Sequence, residues 1–364
     1  MPNSEPRGRG AGPETTEAAR IPAGIIDAPG SEPRLGSVSL GPRPQGTTLV
    51  AVVAAPVNPL DLLIASGGFH SARHESAYVP GSEFVGVVVD SDRYPSGATV
   101  YGECHASPAT PGAFATKVLV ADDDLLALPT GLDPVLAAAV GNSGVAAYLP
   151  LVAVARLAPG ETVLVLGATG AVGQLAIQIA RHRSAGRVVG VARNRAALDR
   201  LLELGADTVV DLRPDEDVEH LAARLQAAAG PVDVVLDGLF GAPLEAALHV
   251  CAPRARVVNI GNLAGPAARL PAGLLRGKQL NITGFAGLHT SLLAKSEALT
   301  WLWTALASGD LRIEVETFTL EELPAAWRAQ GSSPHAKCVV LPGAGELASH
   351  DHQPTSPEVR VTLG

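Results

Sequence analysis

Cysteine is scarce: Cys104, Cys251 and Cys338 are the three in 364 residues, far apart and odd in number. They do not form a disulfide framework, and a reducing, cytoplasmic setting is expected. Aromatic residues make up 4% of the chain, which removes the stacking platforms of single-strand nucleic-acid binders. Positive charge is also short, with 27 Lys and Arg against 36 Asp and Glu, a net charge of -9 and only four lysines. That excludes a general nucleic-acid binder, which needs an excess of cations to displace phosphate counterions. The opening stretch, MPNSEPRGRGAGPETTEAAR, has no apolar core and does not read as a secretory signal. Residues 1–19 and 344–364 are expected to be disordered tails, with His350 and His352 solvated rather than metal-bound. Long apolar runs are represented by VLAAAVGNSGVAAYLPLVAVARLA, from Val135. Gly141-Asn142-Ser143-Gly144 and Pro150 are expected to break it, so it reads as a buried helix of a soluble protein and not as a bilayer span.

What is present is small and apolar. A 47% hydrophobic share with 17% charged residues fits a chain with substantial cores. From about Ile21 to Val120, the Val-rich runs TLVAVVAA, FVGVVVD and ATVYGE are separated by Pro, Gly and Ser, which predicts a β-rich unit. From Glu161 strands alternate with helices: VLVLG, AVGQLAIQIARHR, RVVGVA, RAALDRLLELG, TVVDL, EHLAARLQAAAG, VDVVLDG, PLEAALHVC, ARVVNIG and LNITGFAGL. This rhythm implies a Rossmann-type α/β fold, a doubly wound parallel sheet with helices on both faces. A Trp-bearing helix, SEALTWLWTALASG, then precedes the strands VETFTL and AKCVVLP.

The turn Ala168-Thr169-Gly170-Ala171-Val172-Gly173 follows a strand and opens a helix, the context a phosphate cradle requires. Gly170 is read as the tight turn that lets backbone approach a pyrophosphate, and Gly173 as the point of close helix–strand packing. The helix N-terminus adds free N–H groups and the positive dipole end. A plain structural turn is the other reading, since Ala168 stands where the usual first glycine would be. An NAD site places a carboxylate about 20 residues further on. Here the second strand ends in Arg193, Asn194 and Arg195, which suit the 2′-phosphate of NADPH.

These stretches together resemble the medium-chain dehydrogenase/reductase superfamily, in its zinc-free quinone oxidoreductase-like branch. The resemblance runs from about Ile21 to Pro342 through VNPLD, PGSEFVGVVV, PSGATVYGE, GAFA, GETVLVLGATGAVGQLAIQIA and LELGADTVVD. It implies a Rossmann NADPH-binding domain (140–288) inserted in a GroES-like β-rich catalytic domain (20–139, with a return segment 289–343). Where zinc-dependent relatives carry a cysteine, a histidine and a third ligand, this chain has Asn58, Ser82 and Asn142. Amides and hydroxyls are poor zinc ligands, so no metal is expected. Glu103-Cys104-His105 is not read as a metal site, because consecutive side chains on an extended segment do not converge.

The implied activity is hydride transfer to a quinone or a carbonyl-conjugated alkene, with the enolate or hydroquinone anion stabilised by hydrogen-bond donors and then protonated. Asn58 is the candidate substrate-orienting amide, or else a turn cap, and Asp61 is read as structural. Relatives often carry a tyrosine where this chain has Phe69, so His70, His74, Tyr78 or water is left as proton donor. Asn142 and Ser143 are expected at a helix start bordering the nicotinamide. Asp237, Ile260 and Gly261 at strand ends are expected to line the cofactor crevice, and Phe285 and Gly287 to approach the nicotinamide. The resemblance also implies a homodimer. An enoyl-thioester or other biosynthetic reductase, and a non-catalytic NADPH sensor, remain open alternatives.

Overall fold

The computed structural model describes residues 20–68, 74 and 76–343. The chain opens with an antiparallel pair, β1 (Arg20–Ile25) and β2 (Arg34–Ser39). Then follow β3 (Thr47–Pro56), the short helix α1 (Pro59–Ala65), β4 (Glu83–Asp90), β5 (Thr99–Glu103), β6 (Lys117–Ala121) and β7 (Leu125–Ala127). Strict alternation in β3 buries Val50, Val52 and Ala54 on one face. A second core gathers Phe84, Phe114 and Trp327, the latter two rings meeting edge-on at 6.4 Å.

Helix α2 (Pro134–Leu149) is started by Asp133, whose carboxylate accepts from the Val135 and Leu136 N–H groups, and by Pro134 in its first turn. The glycines expected to break this helix do not. A Cβ on Gly141 would lie 2.3 Å from Glu83 Oε2, and one on Gly144 would lie 2.7 Å from Leu302 Cδ1. They allow close packing within an unbroken helix, which continues past Pro150 as a π-turn to Val154. By length and composition the 21 residues Pro134–Val154 are apolar enough to cross a membrane, but 67% of the span is buried inside the protein. Helix α2 packs on β3 and β4 on one side and on later helices on the other, so it is apolar all round.

The second unit is β8 (Thr162–Leu166), α3 (Ala171–His182), β9 (Arg187–Ala192), α4 (Arg195–Glu203), β10 (Thr208–Asp211), α5 (Val218–Ala229), β11 (Val232–Asp237), α6 (Gly241–Val250), β12 (Cys251–Asn259), α7 (Ala272–Lys278) and β13 (Asn281–Gly284). Its six parallel strands lie in the order β10-β9-β8-β11-β12-β13. Strand order reverses between β8 and β11, and ligands of such sheets bind at the carboxyl ends there. Val163, Leu164 and Val165 are fully buried, as expected for a sheet covered on both faces.

Helix α8 (Leu292–Ala307), β14 (Val315–Thr319), α9 (Leu323–Gly331) and β15 (Lys337–Leu341) complete the described chain. Strand β15 returns to pair antiparallel with β3, giving a seven-stranded sheet with the path β14-β15-β3-β4-β5-β7, in which β6 pairs the first half of β3 and β15 its end. The last strand therefore lies beside the segment that leads into α1.

Candidate active site

Helix α1 is capped by Asn58, whose backbone N–H donates to Asp61 Oδ2 at 2.8 Å. The side chain of Asn58 is 1% exposed, and both ends of its amide are occupied. Nδ2 donates to Glu83 Oε1 at 2.8 Å and to Ser82 Oγ at 3.3 Å, while Oδ1 accepts from Lys337 Nζ at 2.5 Å. Lys337 Nζ also donates to Ser143 Oγ at 3.0 Å. The second oxygen of Glu83 accepts from the Tyr101 hydroxyl at 2.8 Å and the Asn142 backbone N–H at 2.6 Å. Residues from β3's exit, β4, β5, α2 and β15 thus meet in one buried, hydrogen-bonded network. Burial holds the Lys337 ammonium below its usual range, against the pull of Glu83 and Asp61. Burial likewise pushes the Asp61 carboxyl up to about 6.

This geometry revises two expectations. Asn58 holds Lys337 and Glu83 in place and has no polar atom left for substrate. Asn142 and Ser143 lie in the middle of α2, because the capping signal belongs to Asp133. Glu83 and Lys337, which complete this buried network, were not singled out by the sequence reading. The available signal was a charge inside or opening an otherwise apolar strand, EFVGVVVD and KCVVL, where burial demands partners.

Beside the network lies a cavity of about 330 Å³, whose lining includes Asp61, His74, Tyr78, Ser82, Cys104 and His289. The Tyr78 hydroxyl and His74 Nε2 are buried with no hydrogen-bond partner among the described residues, and their rings are 4.4 Å apart. Burial, with Asp61 as the lesser cause, pushes the Tyr78 phenol up to about 12. His70 and Phe69 lie outside the described residues. Burial raises the Cys104 thiol far from its reactive range.

At the end of β8 the tight turn belongs to Gly167, at φ +86°, and not to Gly170. Gly170 caps α3 at φ -76°, and a Cβ there would meet nothing nearer than Gly167 O at 3.8 Å. Gly173 does pack as expected: a Cβ would lie 2.5 Å from both Ala168 Cα and Gly167 O. Gln174 N–H closes the first helical bond, to Gly170 O, so the N–H groups of Ala171, Val172 and Gly173 form the open helix terminus. Ala168 and Thr169 are buried. The Thr169 carbonyl accepts from Gln174 Nε2 at 2.8 Å, and His335 Nδ1 lies 3.3 Å from it.

After β9, Arg193 is exposed and carries no side-chain ion pair or hydrogen bond among the described residues. Asn194 caps α4 by accepting from Ala197 N–H and meets His335 Nε2 at 2.8 Å. Arg195 pairs with Asp199 one turn along the helix. Asp237 is fully buried, with oxygens accepting from Leu239 N–H, Phe240 N–H and Asn259 Nδ2. It shapes the strand-end turn and has no free oxygen for a ligand, a correction to its expected contact with the cofactor. Gly261 lies against Gly238, where a Cβ would come within 2.9 Å of the carbonyl, and Ile260 N–H donates to Asp237 O. Phe285 N–H donates to Asn259 O, and Gly287 comes close to Asn142 Oδ1. The last strand's exit therefore meets α2 at Asn142 and lines the cavity with Leu288 and His289.

The positions at which zinc-dependent relatives bind metal hold Asn58, Ser82 and Asn142, with an ammonium seated on Asn58. A cation beside two amides and a hydroxyl does not fit zinc, which takes Cys, His and carboxylates. Among the described residues no group of three or more His, Cys, Asp or Glu is placed to hold a metal ion.

Two family models match: an alcohol dehydrogenase GroES-like domain over residues 44–130 and a zinc-binding dehydrogenase over residues 171–304. The chain is 31% identical over 319 residues to a mycocerosic acid synthase-like polyketide synthase of Mycobacterium tuberculosis, covering 84% of this chain and 14% of that protein. It therefore spans only a small part of the length of such synthases. It is 30% identical over 214 residues to a quinone oxidoreductase of Lama guanicoe, covering 59% of this chain and 64% of that one. Among solved structures, the quinone oxidoreductase of Thermus thermophilus, described with its NADPH complex, superposes with a TM-score of 0.72 at 30% identity, covering 88% of this chain and 99% of that one. With the fold, the glycine turn and the motif order all in agreement, the chain belongs to the medium-chain dehydrogenase/reductase superfamily of oxidoreductases, in its quinone oxidoreductase-like branch.

Proposed function

We propose that the protein is an NADPH-dependent, zinc-independent reductase that transfers hydride to a quinone or a carbonyl-conjugated alkene. The observation that carries this reading is the buried, unpartnered hydroxyl of Tyr78, a residue that lines a cavity of about 330 Å³ together with Leu288 and His289 from the exit of β13. A buried donor without an acceptor is costly, and a substrate oxygen would satisfy it.

The chain has a place for the dinucleotide. The N–H groups of Ala171, Val172 and Gly173 suit its pyrophosphate, and the open space over Gly170 lets backbone approach it. Arg193, without a side-chain partner among the described residues, suits the 2′-phosphate. When bound, NADPH supplies a hydride, so negative charge develops on the substrate oxygen. Tyr78 keeps its proton at neutral pH and donates to that oxygen. Lys337 and Asn58 hold Glu83 and Asn142 in register beneath the cavity.

A second reading, reduction of an enoyl thioester, is favoured by the polyketide synthase relatives. The same donors would serve its enolate. A homodimer formed along β13 is also proposed: β13 is an edge strand paired only with β12 among the described strands. Light scattering on the purified protein tests it.

The purified protein, incubated with NADPH and a panel of quinones, enones and enoyl thioesters, is expected to oxidise the cofactor with at least one class. Folded protein that binds NADPH and oxidises it with none of them would overturn the reductase reading in favour of a sensor.

A further inference from the structure

The Glu103-Cys104-His105 run carries an arrangement that the network above does not use. At the end of β5 the two oxygens of Glu103 accept from Lys295 Nζ at 2.7 and 2.8 Å. Lys295 has a side chain 3% exposed, and Glu103 one 15% exposed. Lys295 sits in the first turn of α8, where the helix dipole disfavours a cation, and burial disfavours it again. Glu103 supplies the partner that a buried cation requires, and functional sites often hold such groups.

The pair opens on a space. Lys295, Glu103, Ser82, Glu83 and Asn142 border a small cavity of about 20 Å³, a volume that admits one water molecule. Ser82, Cys104, His105 and Leu288 line both this cavity and the larger one, so the two adjoin. Two of the three ammonium protons are directed at Glu103, which leaves one for the small cavity.

We propose that Lys295 is the general acid of the reaction, passing a proton through one water to the carbon next to the substrate carbonyl, with Glu103 as its positioning residue. The assignment rests on the reductase reading above. Hydride arriving at the β carbon breaks the C=C π bond and moves its electron pair onto the carbonyl oxygen as an enolate. The enolate then re-forms C=O, and the pair at the α carbon takes a proton from the water. The water takes one from Lys295 Nζ, leaving a neutral amine beside Glu103. Solvent restores that proton along the exposed side of His105. In sum the substrate gains one hydride and one proton.

Lys295→Arg separates proton donation from structure, because a guanidinium keeps the ion pair but does not release a proton. In cofactor-free protein the same step runs backwards from the neutral-amine form of Lys295, so exchange is measured at alkaline pH. Wild type is expected to exchange the α hydrogen of α-methylcyclohexanone in heavy water about tenfold or more faster than buffer, a modest share of what a positioned acid–base supplies. Lys295→Arg is expected to exchange it at the buffer rate by NMR. In turnover of α-methylcyclohexenone, wild type yields one enantiomer and Lys295→Arg an even mixture, with melting temperature and NADPH affinity unchanged. The pair Lys295→Met with Glu103→Gln, which leaves no unpaired charge, should behave alike if the arginine fails to fold. Wild-type exchange at the buffer rate, or a single enantiomer from the variants, would overturn the assignment. Absence of hydride transfer from wild type to any acceptor would instead overturn the reductase reading.

Discussion

Lys337 Nζ donates to the amide oxygen of Asn58 at 2.5 Å, across 279 residues of sequence. The contact seats an ammonium on a buried amide, close to the carboxylates of Glu83 and Asp61. Lys337→Met removes that charge and strands both the Asn58 amide and the buried acids. A loss of roughly 3 kcal/mol in denaturant unfolding is expected, the scale for breaking a buried charged contact. An unchanged midpoint would refute the counter-charge role.

Gly170 and Gly173 lie three residues apart and should respond in opposite ways. Gly170→Ala fits the protein, so its melting temperature should hold while dinucleotide affinity falls by calorimetry. Gly173→Ala forces a Cβ into backbone at 2.5 Å, and about 2 kcal/mol of stability should be lost to overpacking. Equal stability loss in both would remove the reason for reading Gly170 as a ligand cradle.

Arg193→Ala should weaken NADPH binding by about tenfold or more, the worth of one charge-assisted contact, and leave NADH affinity within a factor of about two. The comparison is best made at fixed low salt, because an exposed cation is screened. Equal losses for the two dinucleotides would place the 2′-phosphate elsewhere.

Tyr78→Phe should leave the fold as stable as wild type or more so, since the hydroxyl it removes has no partner. Turnover should fall about a hundredfold, as for loss of one oxyanion donor, with little change in NADPH affinity. Full activity in the variant would exclude the hydroxyl as that donor.

Asp61 carries a pH dependence. Its carboxyl is pushed up to about 6 in the folded protein from about 3.9 when unfolded, so the folded state binds the proton more tightly. Stability from this group is present below pH about 4 and is lost as pH rises through about 6, by about 3 kcal/mol in all. Acids held low by arginine, such as Asp92 and Glu161, act in the opposite sense at lower pH. The difference between Asp61→Asn and wild type isolates the effect. The variant should gain about 3 kcal/mol relative to wild type between pH 4 and pH 7, measured by urea unfolding. A constant difference would show that Asp61 is ionised throughout.

The alternation of strands and helices was legible because parallel strands are continuous apolar runs and their helices are periodic. VLVLG, RVVGVA and VDVVLDG all lie in the expected strands. The glycine turn was legible as a place, but its internal division was not: φ +86° at Gly167 follows from the chain path and not from residue type. Gly141 and Gly144 read as helix breakers because sequence gives no view of Glu83 or Leu302 pressing on them. Glu83 and Lys337 went unread for the same reason, as the contacts that make them useful are tertiary. Asp237 looked like a crevice residue by position, and only its three hydrogen bonds show it to be fully engaged.

Because β15 supplies Lys337 to a pocket begun at Asn58, that pocket cannot exist during most of synthesis. The parallel sheet between them can fold as the nascent polypeptide emerges, but the Glu83 carboxylate and the Asn58 amide oxygen must wait for β15 to supply their ammonium partner. A chain cut after β13 would keep the parallel sheet but lack the lysine that closes the network around Asn58 and Glu83.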